Sequence, residues 1–182
     1  MDTNTKLIYQ DAIENIPESE RLPLQNPIAL RTLAALEFYE KNSSHAIAFT
    51  TLMQKSFDKR NVKYIHPSYI TILLQLTEDE LSFIKIIQKE GTLEYVTKLD
   101  LTDDKSQFCN RRYLKDPLPE KQLNYPEMKW LYIDNLLRLN IINYPIYKQD
   151  PVMENGAQIG LIQQSRIHLT NFGNHFFEAI TN

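Results

Sequence analysis

The chain has 182 residues, 42% hydrophobic and 24% charged, with a formal net charge of −3, which is ordinary for a globular protein and excludes wholesale disorder. Residues 1–91 hold 10 basic and 12 acidic side chains and residues 92–182 hold 10 and 11, so neither half is a basic nucleic-acid arm. Four scattered glycines exclude a dinucleotide fingerprint and a phosphate loop, and the single Cys109 excludes an intramolecular disulfide and every paired-cysteine zinc or redox motif.

Before Pro17 a short helix is expected over Leu7–Ile16. Asn26-Pro27 is a cleaner start, because Asn caps and Pro fits the first helical position. Ile28, Leu30, Leu33, Ala34, Leu36 and Phe38 give that helix a broad apolar face. Asn42-Ser43-Ser44 breaks it and caps the next, which carries Ile47, Phe49, Leu52, Met53 and Phe57 and runs into a basic stretch of Lys55, Lys59, Arg60 and Lys63. His66-Pro67 opens a third helix over Ser68–Leu76, with Ile70, Leu73 and Leu74 as its buried candidates. Thr77 and Glu80 match a capping box for a fourth over Glu78–Glu90, which Gly91 stops.

Beyond Gly91, Leu93, Val96 and Leu99 suggest a further short helix, and Thr102–Gln122 reads as a charged loop. A helix is expected over Glu127–Asn140. The period then changes: a strand at Ile141–Lys148, the Asn155-Gly156 hairpin signal, and a returning strand at Gln158–Leu169. Thr170 caps a last helix with Phe172, Phe176, Phe177 and Ile180. The expected fold is therefore mainly helical α+β. An N-terminal helical layer (1–91) precedes a winged-helix-like half (92–182) with one antiparallel β-hairpin, the two making one compact unit.

Chemistry-bearing patterns are sparse. Cys109 sits near Arg111-Arg112, but no histidine is close enough in sequence to activate it, so it reads as an incidental loop cysteine. His45, His66, His168 and His175 lack metal-site spacing, and the acidic run Asp100, Asp103, Asp104 lacks the glycine and glutamate of a calcium loop. Asp116 with Glu127 and Lys129 mimics the spacing of a metal-dependent nuclease, a remote reading because a helix after Pro126 turns Glu127 and Lys129 to different faces. No catalytic residue, metal or cofactor is assigned. A nucleic-acid surface on the winged-helix-like half would use Lys129, Arg138 and Arg166, yet acidic neighbours offset them.

The stretch from Ile16 to Ile87 carries a resemblance. A Pro-rich lead-in and an Asn-Pro helix precede HPSYITILLQLTEDE (66–80), and NLLRLNII (135–142) and HLTNFGNHFFEAI (168–180) follow. These segments resemble the Abi-alpha (abortive-infection alpha) family over roughly residues 14–180. The chain begins near that family's lead-in, as a short or truncated member would. The resemblance implies a role in bacterial phage resistance and supplies no catalytic residues. His66, Pro67, Ser68, Gln75, Thr77 and Glu80, the most family-specific positions, read as an architectural corner between two helices.

The expected function is a non-enzymatic interaction module of an abortive-infection protein, engaging a protein partner or a second copy. The alternative is a winged-helix DNA-binding regulator. No apolar run approaches the roughly 20 residues that span a bilayer, so a cytoplasmic protein with no membrane partner is expected.

Overall fold

The computed structural model describes residues 10, 12–23, 27–118 and 120–181. Residues 10 and 12–14 are helical, inside the helix expected over Leu7–Ile16; Leu7, Ile8, Tyr9 and Asp11 lie outside the described residues, as does Asn26. Helix α1 (Pro27–Leu36) buries Ala29, Leu33, Ala35 and Leu36. Helix α2 (Ser44–Phe57) begins where the Ser43 hydroxyl accepts the Ala46 N–H at 3.1 Å, and it buries Phe49, Leu52, Met53 and Phe57. Helix α3 (Ser68–Leu73) is shorter than expected, and Leu74, counted among its buried candidates, is exposed. Helix α4 (Glu78–Glu90) ends at Gly91, whose φ of 72° is the left-handed conformation a C′ glycine tolerates.

The single hairpin is overturned. Five strands form one antiparallel sheet: β1 (Leu93–Leu101), β2 (Phe108–Lys115), β3 (Ile142–Asn143), β4 (Ile146–Glu154) and β5 (Ala157–Leu169). The order is β2-β1-β5, with β3 and β4 both pairing β5, so the C-terminal half is an α+β layer with a substantial sheet and not a winged-helix arrangement with one hairpin. The misreading has a physical cause. Leu93, Val96 and Leu99 are three apart, which suits a helix, but the row that is buried is Leu93, Tyr95, Thr97 and Leu99, a strand's period of two. Strand β2 exposes nearly every residue, so no alternation marks it.

Pro145 interrupts the single strand expected over Ile141–Lys148, separating β3 from β4. Asn155-Gly156 turns the β4–β5 hairpin with φ of 49° and 80°, the positive pair that a two-residue type I′ turn requires. Before β3, helix α5 (Lys129–Arg138), entered through a 3₁₀ turn at Pro126–Met128, buries Tyr132, Ile133 and Leu136. Both outer strands are unsuited to further pairing. β2 carries Arg111 and Arg112 and bulges against β1, with Asn110 at φ 49°, and β4 carries Pro151 between Asp150 and its own bulge.

Contacts within the fold divide into two compact units. The first holds the described residues up to Leu81 and those from Phe172 onward; the second is Ser82–Asn171. In the first, helix α6 (Asn171–Ile180) brings Phe172 and Phe176 against Tyr69, at ring separations of 5.6 and 5.5 Å. The basic stretch is spent on internal contacts there. Lys59 donates to Ser19 O at 2.7 Å, and Arg60 clasps the buried Asp58 carboxylate at 2.6–3.1 Å, which with Asn61 holds that carboxyl below its ordinary pKa.

Gly160 marks the closest approach inside the sheet. A Cβ built on it would lie 2.5 Å from the Leu99 carbonyl oxygen of β1. Gly160→Ala must push the two backbones apart, and denaturant unfolding should show a loss of about 1–3 kcal/mol. Wild-type stability in that variant would mean β1 and β5 are not held this close.

Candidate functional site

The family-specific corner of the first unit is built from short local bonds. Pro67, at φ −57°, starts the chain into α3, and His66 Nδ1 accepts the Ser68 N–H at 3.2 Å while lying 2.7 Å from the Ser68 hydroxyl. The Gln75 amide donates to Thr71 O at 3.0 Å. Thr77 Oγ1 accepts the Glu80 N–H at 3.2 Å, and the Glu80 carboxylate accepts the Thr77 N–H at 2.6 Å, a reciprocal capping box. Leu73, Leu76 and Leu81 beside it are buried.

A residue that sequence reasoning left aside ties this corner down. His45, buried near the start of α2, places Nε2 at 2.7 Å from Leu76 O and Nδ1 at 3.4 Å from Glu78 Oε1. Tyr39 stacks on its ring at 4.7 Å with the planes 3° apart. The Ser44 N–H donates to the same Glu78 carboxylate at 3.2 Å. Burial works to raise the Glu78 pKa, but the bonds from Ser44 and His45 outweigh it and hold the carboxyl below its usual value. Leu76 and Glu78 are more than thirty residues from His45, so no local pattern announces them.

Three large apolar side chains close in sequence to the residues of this node are exposed. Phe38 is 83% exposed, Ile47 55% and Leu74 50%. Phe38 adjoins Tyr39, Ile47 follows His45 by two residues, and Leu74 precedes Leu76 by two, so each backbone position is held by a neighbour that contacts the His45 ring or is the ring-bearing residue itself. Elsewhere in this unit a cavity of about 220 Å³ is lined by Lys55, Asn61, Tyr64, Ile65, His175 and Glu178. Lys55 spends its ammonium on the carbonyls of Glu178 and Thr181 at the end of α6; burial lowers its pKa, against the opposing pull of Glu178.

The second unit separates the residues singled out for nucleic acid. Lys129 pairs with Asp116, Arg138 donates to Asn135 Oδ1 at 2.6 Å, and Arg166 stacks on Tyr147 with its guanidinium carbon 3.9 Å from the ring centroid. Lys129 and Arg138 stand at opposite ends of α5, about 13 Å apart along its axis. Of the nuclease-like trio the structure joins Asp116 to Lys129, with Glu127 exposed in the preceding turn. Asp104 organises the β1–β2 turn, where hydrogen bonds from Thr102 and Ser106 depress its pKa to about 2, and Asp100 pairs with Arg112. Cys109 lies in β2 opposite Asp100.

Four aromatic rings also meet in the second unit. Trp130 stacks on Tyr113 at 5.0 Å and lies 5.7 Å from Tyr95 and 6.2 Å from Tyr144, while the Lys129 ammonium sits 5.7–5.8 Å over Tyr113 and Trp130. Tyr95 is fully buried, and its hydroxyl finds no partner among the described residues. Burial, with Asp116 nearby, pushes its pKa far upward. Reading residues 92–125 as helix and loop concealed this cluster, because only the β1–β2 pairing brings Tyr95 and Tyr113 together.

Among the described residues no three His, Cys, Asp or Glu side chains gather as a metal site, and no helix is long and apolar enough to cross a membrane. The chain thus combines a helical unit that contains this motif corner with a unit that contains the five-stranded sheet. The family model described as abortive infection alpha matches residues 2–180, and the chain belongs to that family. No curated protein and no solved structure matches it.

Thr77→Ala should cost about 0.5–2 kcal/mol through the lost cap, read by thermal or denaturant unfolding. Tyr95→Phe removes an orphaned hydroxyl and should leave stability unchanged or raise it by up to about 1–3 kcal/mol. A folded-state pKa raised above the unfolded value gives stability that is whole below about pH 10 and is lost as pH rises beyond it. The alkaline loss should therefore shrink in Tyr95→Phe; an unchanged alkaline profile would contradict the buried, neutral phenol.

Proposed function

We propose that this chain is a non-enzymatic interaction module of a bacterial abortive-infection protein, acting in the cytoplasm by binding a protein partner. Membership of the abortive infection alpha family supports the setting. The observation that carries the contact is the exposure of Phe38, Ile47 and Leu74 on the backbone segments that the His45 node ties together. Large apolar side chains held in the open on a rigid frame are what a partner's apolar surface buries. The motif side chains of His66, Ser68, Gln75, Thr77 and Glu80 engage in building the corner, which supports a structural role for them.

The test is affinity purification from phage-infected and uninfected cells with wild type and with Phe38→Ser/Ile47→Ser as bait. The variant should unfold at the wild-type temperature while losing the specifically retained protein and the phage protection. Turnover of a nucleotide or nucleic acid by the purified chain, with no protein whose retention depends on Phe38 and Ile47, would overturn the proposal. His66→Ala and Gln75→Ala should lose protection only in proportion to lost folded protein, as paired thermal-unfolding and plaque measurements would show.

A further inference from the structure

The alternation of β5 sorts its side chains cleanly. Ser165, Ile167 and Leu169 are buried on one face, and Gln164, Arg166 and His168 are half-buried on the other. On that second face two buried nitrogens, Arg166 Nε and His168 Nδ1, have no hydrogen-bond partner among the described residues. A half-buried guanidinium normally meets a carboxylate. The register places Glu94 directly opposite Arg166, but the Glu94 carboxylate is engaged by Lys115 at 3.3 Å. What holds Arg166 is the Tyr147 ring, 3.9 Å below its guanidinium carbon, and Tyr147 is in turn fixed by its hydroxyl lying 3.3 Å from Gln164 Oε1.

Stacking of this kind fixes the guanidinium plane without consuming its N–H groups, which point outward in the plane. The bond from Tyr147 to the carbonyl of Gln164 leaves the amide N–H₂ as a second donor on the same face. His168 supplies a third polar nitrogen. Leaving such groups desolvated and unpaired is costly, and an acceptor-rich anion removes that cost.

We propose that Gln164, Arg166 and His168, with Tyr147 as the positioning residue, form an oxyanion site that receives a phosphate group. Donors spread over three side chains suit the several oxygens of a phosphate better than the two of a carboxylate. The site lies within the second unit and is independent of the protein-binding surface of the first.

Isothermal titration of the full chain with inorganic phosphate, acetate and adenosine monophosphate, at constant ionic strength, tests this. Wild type should bind phosphate and not acetate. Arg166→Gln should abolish binding, and Arg166→Lys, which keeps the charge but not the fork, should weaken it about tenfold or more. Emission of Trp130 reports whether Arg166→Gln keeps its fold. If it does not, Tyr147→Leu on the exposed edge strand carries the test, with a similar weakening expected. Tighter binding of the nucleotide assigns the phosphate to a nucleotide, and equal binding assigns it to free phosphate. No binding of phosphate by wild type, equal binding of acetate, or undiminished binding in a folded Arg166 or Tyr147 variant would overturn the site.

Discussion

Strand β5 offers hydrogen-bonding edges to β1 on one side and to β3 and β4 on the other, and its register decides the chemistry of the whole sheet. Opposite β1, Leu93 faces Ile167 and Tyr95 faces Ser165, which fills one face with apolar and small side chains. The same pairing sends Gln164, Arg166 and His168 to the other face. A slip of one residue would bury a guanidinium and expose Ile167, so the hydrophobic row and the polar row enforce each other. The close approach of Gly160 to Leu99 O fixes the far end of that register.

Helix starts and turns were legible because each depends on two to four adjacent residues. Ser43, the Thr77/Glu80 pair, Gly91 and Asn155-Gly156 each do locally what their residue types favour. The sheet was hidden for the opposite reason. β2 is an exposed, charged edge strand with bulges, so hydrophobic alternation never develops in it, and in β1 the single apolar residue on the polar row, Val96, gives Leu93, Val96 and Leu99 the spacing of a helix. The five-stranded sheet replaces the single hairpin because pairing between residues some seventy positions apart, as in Leu93 with Ile167, leaves no local trace.

The candidate sites show the same division. The corner from His66 to Glu80 could be read as architecture from its sequence, since its bonds span two to four residues. The His45 node, the Trp130 cluster and the Arg166 stack could not. Each joins elements far apart in the chain, and residues judged one at a time gave only a scattered histidine, a helical tryptophan and a basic strand residue. Lys129 shows how charge alone misleads: its ammonium is committed to Asp116 and two aromatic faces.

The division of the chain between units has a consequence for its synthesis. Helix α6 belongs with the N-terminal helices, where Lys55 reaches the Glu178 carbonyl across 123 residues of sequence and Tyr69 packs on Phe172 and Phe176. On the ribosome the earliest helices must wait until the whole of Ser82–Asn171 has been made before α6, their packing partner, emerges. A nascent chain interrupted before α6 leaves Tyr69 without its aromatic partners, exposing it to chaperones and proteases in a way the finished protein does not.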